Sequence, residues 1–310
     1  VGCSDGGLPE MTGPMKYQLR LRLNHHYAGP ADGARHIVHV APLTLPGRQS
    51  VQALTVAALP GADTRCDRVD YFGNAVTQFA HRTSHGAMQI EMTAQVTCHA
   101  RAGVADVSPR LGALPDQIAT YQALDAAAPH HFLGASARIP LADMVADYAR
   151  GLADPNASVV RNVTGLGQAL HADMHFDSMA TTVDTPLEDA FAHRHGVCQD
   201  FAHIMIAGLR SLGIPARYVS GFLRTEPPAG QPRLEGADAM HAWVSAWCGA
   251  EMGWVEFDPT NNVPARTDHI VVGYGRDYDD VAPIKGVLRS SRMSSVGQAV
   301  DVIPVPVSTP

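Results

Sequence analysis

Thr185-Pro-Leu-Glu-Asp-Ala-Phe-Ala-His-Arg-His-Gly-Val-Cys198-Gln-Asp-Phe-Ala-His-Ile-Met-Ile-Ala-Gly-Leu-Arg-Ser-Leu-Gly213 reads as a short helix, a tight loop, and a cysteine at the mouth of a buried helix. Thr185 fits an N-cap, Pro186 a first-turn proline and Glu188 the acidic member of a capping box, which predicts a helix over 186–193. Gly196 closes the loop. From Cys198 onward the apolar residues Phe201, Met205, Ile206, Leu209 and Leu212 recur at helical spacing, and Gly213 before Pro215 gives the stop signal. Cys198 therefore falls in the first turn, where free backbone N–H groups and the positive end of the helix dipole favour a thiolate. That makes it a candidate nucleophile.

Downstream of this helix the pattern becomes extended. Ala216 to Leu223, His241 to Trp247 and Trp254 to Asp258 are strand candidates, and the Pro/Gly-rich run from Pro227 to Gly236 is a loop that could shape an entrance. A cysteine nucleophile needs a base and a third group to orient that base. His241 begins one strand and Asp258 ends the next, and a hairpin through Cys248 to Gly253 leaves the two nearly equidistant from the turn. Val287 and the tail over 295–305 supply one or two more strands, so helices followed by a mainly antiparallel sheet give an α+β arrangement.

Upstream, Tyr17, Leu19, Leu21 and Leu23 alternate with Lys16, Gln18, Arg20 and Arg22, the period-two pattern of a strand with one buried face. Similar segments follow at 35–42, 51–57, 68–72, 75–80 and 87–98, with a hairpin turn at Gly73-Asn74, and together they predict an all-β sandwich over 15–100. Residues 101–140 lack periodicity and read as a surface linker. Residues 141–310 then form a second domain, with helices over 141–152 and 159–174 preceding the Cys198 helix, and it is the expected catalytic domain if Cys198 is the nucleophile. Residues 1–14 lack the n-region and h-region of a secretory signal and are expected to be a disordered leader.

Cysteine on a helix start, then His241-Ala-Trp243, then Trp254 to Asp258-Pro-Thr, in that order, resembles the transglutaminase-like superfamily of papain-related cysteine enzymes. Gly196-Val-Cys-Gln-Asp-Phe-Ala202, Gly213-Ile-Pro-Ala-Arg-Tyr-Val219 and Phe257-Asp-Pro-Thr-Asn261 match its core motifs, while Gly275-Arg-Asp-Tyr278 with Pro283 and Gly286 looks like its bacterial branch. The β-rich region over 15–98 is similar to the one that precedes the catalytic domain in that branch. The resemblance implies a papain-like, transglutaminase-like α+β core after an all-β sandwich, and a triad of Cys198, His241 and Asp258. The backbone N–H of Cys198 would then serve as an oxyanion donor. Animal cross-linking transglutaminases carry a tryptophan after the cysteine and flanking calcium sites. Gln199 stands there in this chain, and no acidic loop has EF-hand spacing, so the resemblance carries neither cross-linking nor calcium dependence with it.

The activity so implied is hydrolysis of a peptide or amide bond in a peptide or protein substrate, with no cofactor and no metal. Transfer of the acyl group to an amine, or a catalytically silent binding module, are the alternatives. Gln199 and Trp243 are candidate substrate contacts, although Trp243, like Trp254, also reads as core or pocket wall. Asp200 reads as a cap of the first helical turn. Arg276 and Asp277 are either an ion pair beside the site or substrate contacts. Cys66, Cys98 and Cys248 read as buried, inert residues, and Cys3 lies in the leader.

Among the sixteen histidines, His171 and His175 have i, i+4 spacing but no third ligand, and His36 and His39 would point to opposite faces of a strand. The histidines are accordingly expected to be solvated or hydrogen bonded. A net charge of −7 gives no basic field for nucleic acid or an anionic membrane, and no apolar run is long enough for a membrane helix. Five scattered cysteines without close pairs argue against a disulfide framework or a zinc ribbon and point to the cytoplasm. Loop composition encodes neither substrate identity nor oligomeric state.

Overall fold

Tyr17, Leu19, Leu21 and Leu23 are all buried, and the polar residues between them lie at or near the surface, so the period-two pattern does make a strand with one face in a core. The computed structural model describes residues 13–100, 105–225, 236, 238–289 and 293–306. Residues 1–12 of the expected leader and residues 226–235, nearly all of the expected Pro/Gly-rich loop, lie outside the described residues.

The N-terminal part is β1 (Met15–Val38), β2 (Gln49–Leu59), β3 (Thr64–Val69), β4 (Ala75–His81) and β5 (His85–Cys98). A connecting region follows with α1 (Leu114–Thr120), and then α2 (Asp143–Leu152), α3 (Val159–Asp173), β6 (His175–Phe176), α4 (Leu187–His193), β7 (His195–Gly196) and α5 (Cys198–Ser211). The chain continues through β8 (Ala216–Leu223), β9 (Ala239–Trp247), β10 (Trp254–Asp258), β11 (Val263–Pro264), β12 (His269–Gly275), α6 (Tyr278–Val281), β13 (Ile284–Arg289) and β14 (Met293–Val305). None of these helices is long and apolar enough to cross a membrane.

The two segments read as separate strands at 15–23 and 35–42 are one long strand. Its first half lies between β5 and β14, and its second half between β4 and β13, with a register shift between His26 and Ala31. One strand thus serves two sheets, which close on a shared apolar core containing Tyr17, Leu21, Val38, Phe79, Ile90 and Met92. The hairpin at Gly73-Asn74 is present: Gly73 has φ +85° and the Asp70 N–H donates to the Asn74 carbonyl at 3.0 Å. The tail departs from expectation. β13 and β14 pair with β1, not with the strands that follow α5, because the edge of β1 away from β4 and β5 leaves a full row of backbone groups to be satisfied there.

The five-stranded sheet that carries His241 and Asp258, the candidate catalytic sheet, has the order β11-β10-β9-β8-β12 and is antiparallel throughout. On one face it carries α5, whose Phe201, Ile204, Met205, Ile206 and Leu209 join Val163, Leu166, Tyr218, Val244 and Phe257 in one core. Gly167 on α3 meets Phe257 so closely that a Cβ there would stand 2.3 Å from the ring. On its other face, Phe222, Ile270 and Val272 belong to the N-terminal core. Residues 105–140 are no loose linker: Leu111, Leu114, Ile118 and Ile139 are buried in the same core as α5, and Phe132 is fully buried as well. Buried Arg210 of α5 ties this region down by donating to the carbonyls of Phe132, Gly134, Ala216 and Arg276.

Two side-chain amides complete the unpaired, buried edge of β12. Gln49 donates to the Val271 carbonyl (2.8 Å) and accepts from the Val271 N–H (2.9 Å), and Asn74 does the same for Tyr274 at 2.8 Å each way. Each amide replaces one missing strand partner. Beside them Arg48 makes a bidentate pair with buried Glu256 of β10, with Arg48 Nη2 to Oε2 at 2.6 Å. Glu256 also accepts from Trp243 Nε1 at 2.7 Å and from the Tyr274 hydroxyl at 3.0 Å.

Candidate active site

Cys198 opens α5, as the sequence predicts. Asp200 caps that turn: it accepts from the Val197 N–H at 2.8 Å and from the Thr181 hydroxyl at 2.6 Å, while burial pushes its carboxyl up against these bonds. A Cβ on Gly196 would stand 2.5 Å from Asp200 Oδ2, so the bare backbone of Gly196 lets the carboxylate close over the helix start. The preceding helix differs in its cap. α4 begins after Pro186 with no side-chain cap, because Thr185 Oγ1 instead accepts from the Thr182 N–H at 2.9 Å.

His241 lies near the start of β9 and Asp258 ends β10. The register pairs Trp254 with Trp247 and Phe257 with Val244, which puts Asp258 level with Trp243 and makes His241 its diagonal neighbour. The hairpin reading is therefore one pleat off, because the tight Cys248–Gly253 turn is not symmetric about the two residues. The imidazole still reaches. His241 Nε2 lies 2.7 Å from Asp258 Oδ2. Its ring also lies close enough to Cys198 for the two to interact, so α5, β9 and β10 bring the three predicted residues together.

Asp258 is wholly buried and fully satisfied. Its Oδ1 accepts the N–H groups of Thr260 (3.0 Å) and Asn261 (3.2 Å), and its Oδ2 also accepts from Asn261 Nδ2 (2.7 Å) and His269 Nε2 (3.1 Å). Burial alone would raise its pKa, yet the hydrogen bonds from His241 and His269 and their charges hold it far below the carboxylate range. For His241, burial disfavours the charged ring, but the charge of Cys198, hydrogen bonds to Asp258 and Cys198, and the Asp258 charge raise it to about 10. The ring therefore keeps its proton through neutral pH.

His269, absent from the sequence reading, accepts the Arg266 N–H on Nδ1 at 3.3 Å, which leaves the proton on Nε2 facing Asp258. No spacing motif announces it, because β12 and β10 are not neighbours in the sheet. Asn261 lies inside the Phe257-to-Asn261 motif and could have been found there. His241, Asp258 and His269 have ligand atoms within 4.8 Å of one another, the geometry of a three-ligand metal site. The histidine nitrogens that face Asp258 are, however, the ones hydrogen bonded to it.

Trp243 is 0% exposed, so it offers nothing to a substrate. It is the floor beneath the base, stacked on His241 (centroids 6.1 Å apart) and edge-on to His269 (5.2 Å). Gly221 makes this possible, since a Cβ there would stand 2.4 Å from the indole. Gln199 is also buried, and its amide donates to the Val183 carbonyl at 3.3 Å, holding the 181–184 loop beside Cys198. Tyr218 of β8 is buried close enough to Cys198 to be affected by its charge, and burial first, then that charge, keeps the phenol neutral.

Arg276 and Asp277 do not pair with each other. Arg276 Nε binds Asp280 at 2.9 Å, while Asp277 accepts the backbone N–H groups of Arg138 and Asp279 at 2.8 Å each. His175 lies beyond the end of α3, so His171 has no helical partner and its Nδ1 bonds the Thr260 carbonyl at 3.0 Å. Cys98 and Cys248 are buried, and burial pushes both thiols up to about 12, whereas Cys66 is exposed because β3 is an edge strand with no layer over it.

Comparison with known proteins agrees with this architecture. The family model described as the transglutaminase-like superfamily matches residues 145–259, and that of the bacterial transglutaminase-like N-terminal region matches residues 17–97. An uncharacterized protein of Mycobacterium tuberculosis is 32% identical over 317 residues, covering 95% of this chain and 94% of that one. A protein-glutamine gamma-glutamyltransferase of Pseudomonas aeruginosa is 36% identical over 129 residues, 39% of this chain and 19% of that protein. Among solved structures, a proposed cysteine protease from Cytophaga hutchinsonii superposes with a TM-score of 0.73 at 20% identity, covering 96% of this chain and 93% of that one, which is a likeness of fold.

Proposed function

The chain belongs to the transglutaminase-like superfamily, and from that premise we propose that it is a cysteine-dependent hydrolase cleaving a peptide or amide bond through an acyl-enzyme. The observation that carries the proposal is the line of neighbouring groups from buried Asp258 through His241 to partly exposed Cys198. Cys198 Sγ attacks the carbonyl carbon, and the backbone N–H of Cys198, free at the first position of α5, donates to the oxyanion. His241 passes its proton to the leaving amine as the C–N bond breaks. A water molecule then adds to the thioester, giving a proton to His241, and the C–S bond breaks to release the acid. Asp258 holds the imidazole, and His269 and Asn261 hold Asp258.

The test is intact-protein mass spectrometry of wild type and Cys198→Ala after exposure to a peptide library. An acyl adduct on Cys198, confined to wild type, supports the reading and reports the substrate class. If both proteins process the same peptides, the assignment is wrong. A second reading, transfer of the acyl group to an amine, is favoured by the 36% identity to the glutamyltransferase over 129 residues. Products formed with and without an added primary amine separate the two: hydrolysis leaves the acid in both, and transfer gives the substituted amide.

A further inference from the structure

We propose that His25, His36, His81 and His85 form a binding site for a divalent first-row transition metal, zinc foremost, in the corner where β1 passes from one sheet to the other. Five buried polar atoms there have no hydrogen-bond partner among the described residues: His25 Nε2, Tyr27 Oη, His36 Nδ1, His81 Nδ1 and His85 Nε2. Buried polar groups are nearly always paired, so five orphans in one place call for a ligand. The residues come from three strands: His25 and His36 from the two halves of β1, His81 from the end of β4 and His85 from the start of β5.

The hydrogen bonds that do exist orient two of the rings. His81 Nε2 donates to the Pro60 carbonyl at 2.9 Å, which leaves its orphaned Nδ1 as a bare lone pair. His85 Nδ1 donates to the Thr83 carbonyl at 3.0 Å, which leaves Nε2 bare. One nitrogen bound to a backbone carbonyl and the other free is how a protein presents an imidazole to a metal. Two imidazoles on one zinc ion, with Zn–N bonds of about 2.0–2.1 Å, have ring centroids roughly 5 Å apart. His81 and His85 stand at 4.9 Å, His36 and His81 at 6.4 Å, and Tyr27 and His85 at 5.7 Å.

His36 lies under the backbone of β13, where a Cβ on Gly286 would come within 2.4 Å of the ring. His25, His81 and His85 all lie near enough to the His36 ring for their charges to act on it. The lone pairs do not yet converge. Among the described residues, only His241, Asp258 and His269 already have three ligand atoms within 4.8 Å, so an ion entering past half-buried His85 would have to turn the rings inward. Four imidazoles without a carboxylate suit zinc, cobalt, nickel or copper rather than magnesium or calcium.

Full-length Cys198→Ala, which removes the thiol of the catalytic site, is titrated with Co(II) and then with Zn(II) in competition. The expected result is one Co(II) per chain with the visible absorption of a tetrahedral nitrogen site, displaced by zinc, and a higher Tm with zinc. His85→Gln, at a half-exposed strand start, weakens binding at least tenfold, and His81→Gln does the same. If a variant folds poorly, 15N shifts of the histidine rings in the parent protein during zinc titration give the answer without substitution. Shifts at His81 Nδ1 and His85 Nε2 support the site. No cobalt or zinc binding, unchanged binding in both variants, or shifts confined to His241 and His269 overturn it.

Discussion

Asp258 accepts five hydrogen bonds while fully buried, and this explains how a carboxylate stays charged where burial alone would neutralise it. Replacing it with asparagine keeps the shape but loses the charge. Asp258→Asn is expected to lower kcat on the order of 10³–10⁴-fold, measured on the substrate found by acyl trapping. His241 is raised to about 10, so the alkaline limb of kcat/KM belongs well above the ordinary imidazole value and moves down in Asp258→Asn. A wild-type limb near 6.5 would count against the chain of charges. The same shift contributes stability that is complete below about 6.5 and is lost as pH rises through about 10. Alkylation offers a simpler check. Iodoacetamide at neutral pH should label Cys198 first and exposed Cys66 more slowly, and should leave Cys98 and Cys248 unlabelled until the protein unfolds.

At the scale of elements, β10 carries two carboxylates with different tasks. Asp258 turns toward the histidines, and Glu256, two residues earlier, joins the catalytic sheet to Arg48 just ahead of β2. Burial would raise Glu256, but the Arg48 charge and hydrogen bonds from Arg48 and Trp243 lower it to about 2. Its contribution to stability is present above about 4.5 and is lost as pH falls toward about 2. Arg48→Met strands that charge in the interior and should cost about 3–5 kcal/mol at pH 7 by urea unfolding. The gap between wild type and variant should narrow as pH falls, because the unpaired carboxyl can then protonate. Asn74→Ala removes both bonds to the Tyr274 backbone and leaves a buried N–H and C=O unpaired, a loss of about 2–4 kcal/mol. If that variant is as stable as wild type, the amide is not completing the sheet edge.

Across the whole molecule the two halves share structure in both directions. Phe222, Ile270 and Val272 of the catalytic sheet lie in the N-terminal core, and β13 and β14, after the catalytic sheet in sequence, return to flank β1. Unfolding should therefore be a single transition. All three tryptophans (Trp243, Trp247 and Trp254) are in the catalytic sheet, so their fluorescence reports that part, while far-ultraviolet circular dichroism reports both. Coincident urea midpoints are expected, and separated midpoints would mean that the halves fold independently. A chain ending at Pro283 lacks β13 and β14 and should expose one edge of β1 along both of its halves, giving aggregation in place of a soluble chain.

The order of motifs along the chain was enough to read Cys198 at a helix start, the strands bearing His241 and Asp258, and the α+β core after a β-rich region. These are local matters: helical spacing after Gly196, alternation from Tyr17 to Leu23, and a histidine and an aspartate on either side of a short turn. What sequence did not reveal depends on contacts between distant residues. His269 reaches Asp258 although β9 and β8 stand between β12 and β10 in the sheet, so no adjacency in the sequence or in the sheet announces the contact. Trp243 reads as a substrate contact, a pocket wall or core, and packing decides for core, as the floor under His241, since burial follows from what packs behind a strand and not from the strand's own pattern. The tail carried clear strand signals but no sign of its partner. Local periodicity determines which residues form an element and which face is apolar; only tertiary packing decides which edge that element completes and which orphaned histidines it gathers, because those outcomes are set by residues far away in sequence.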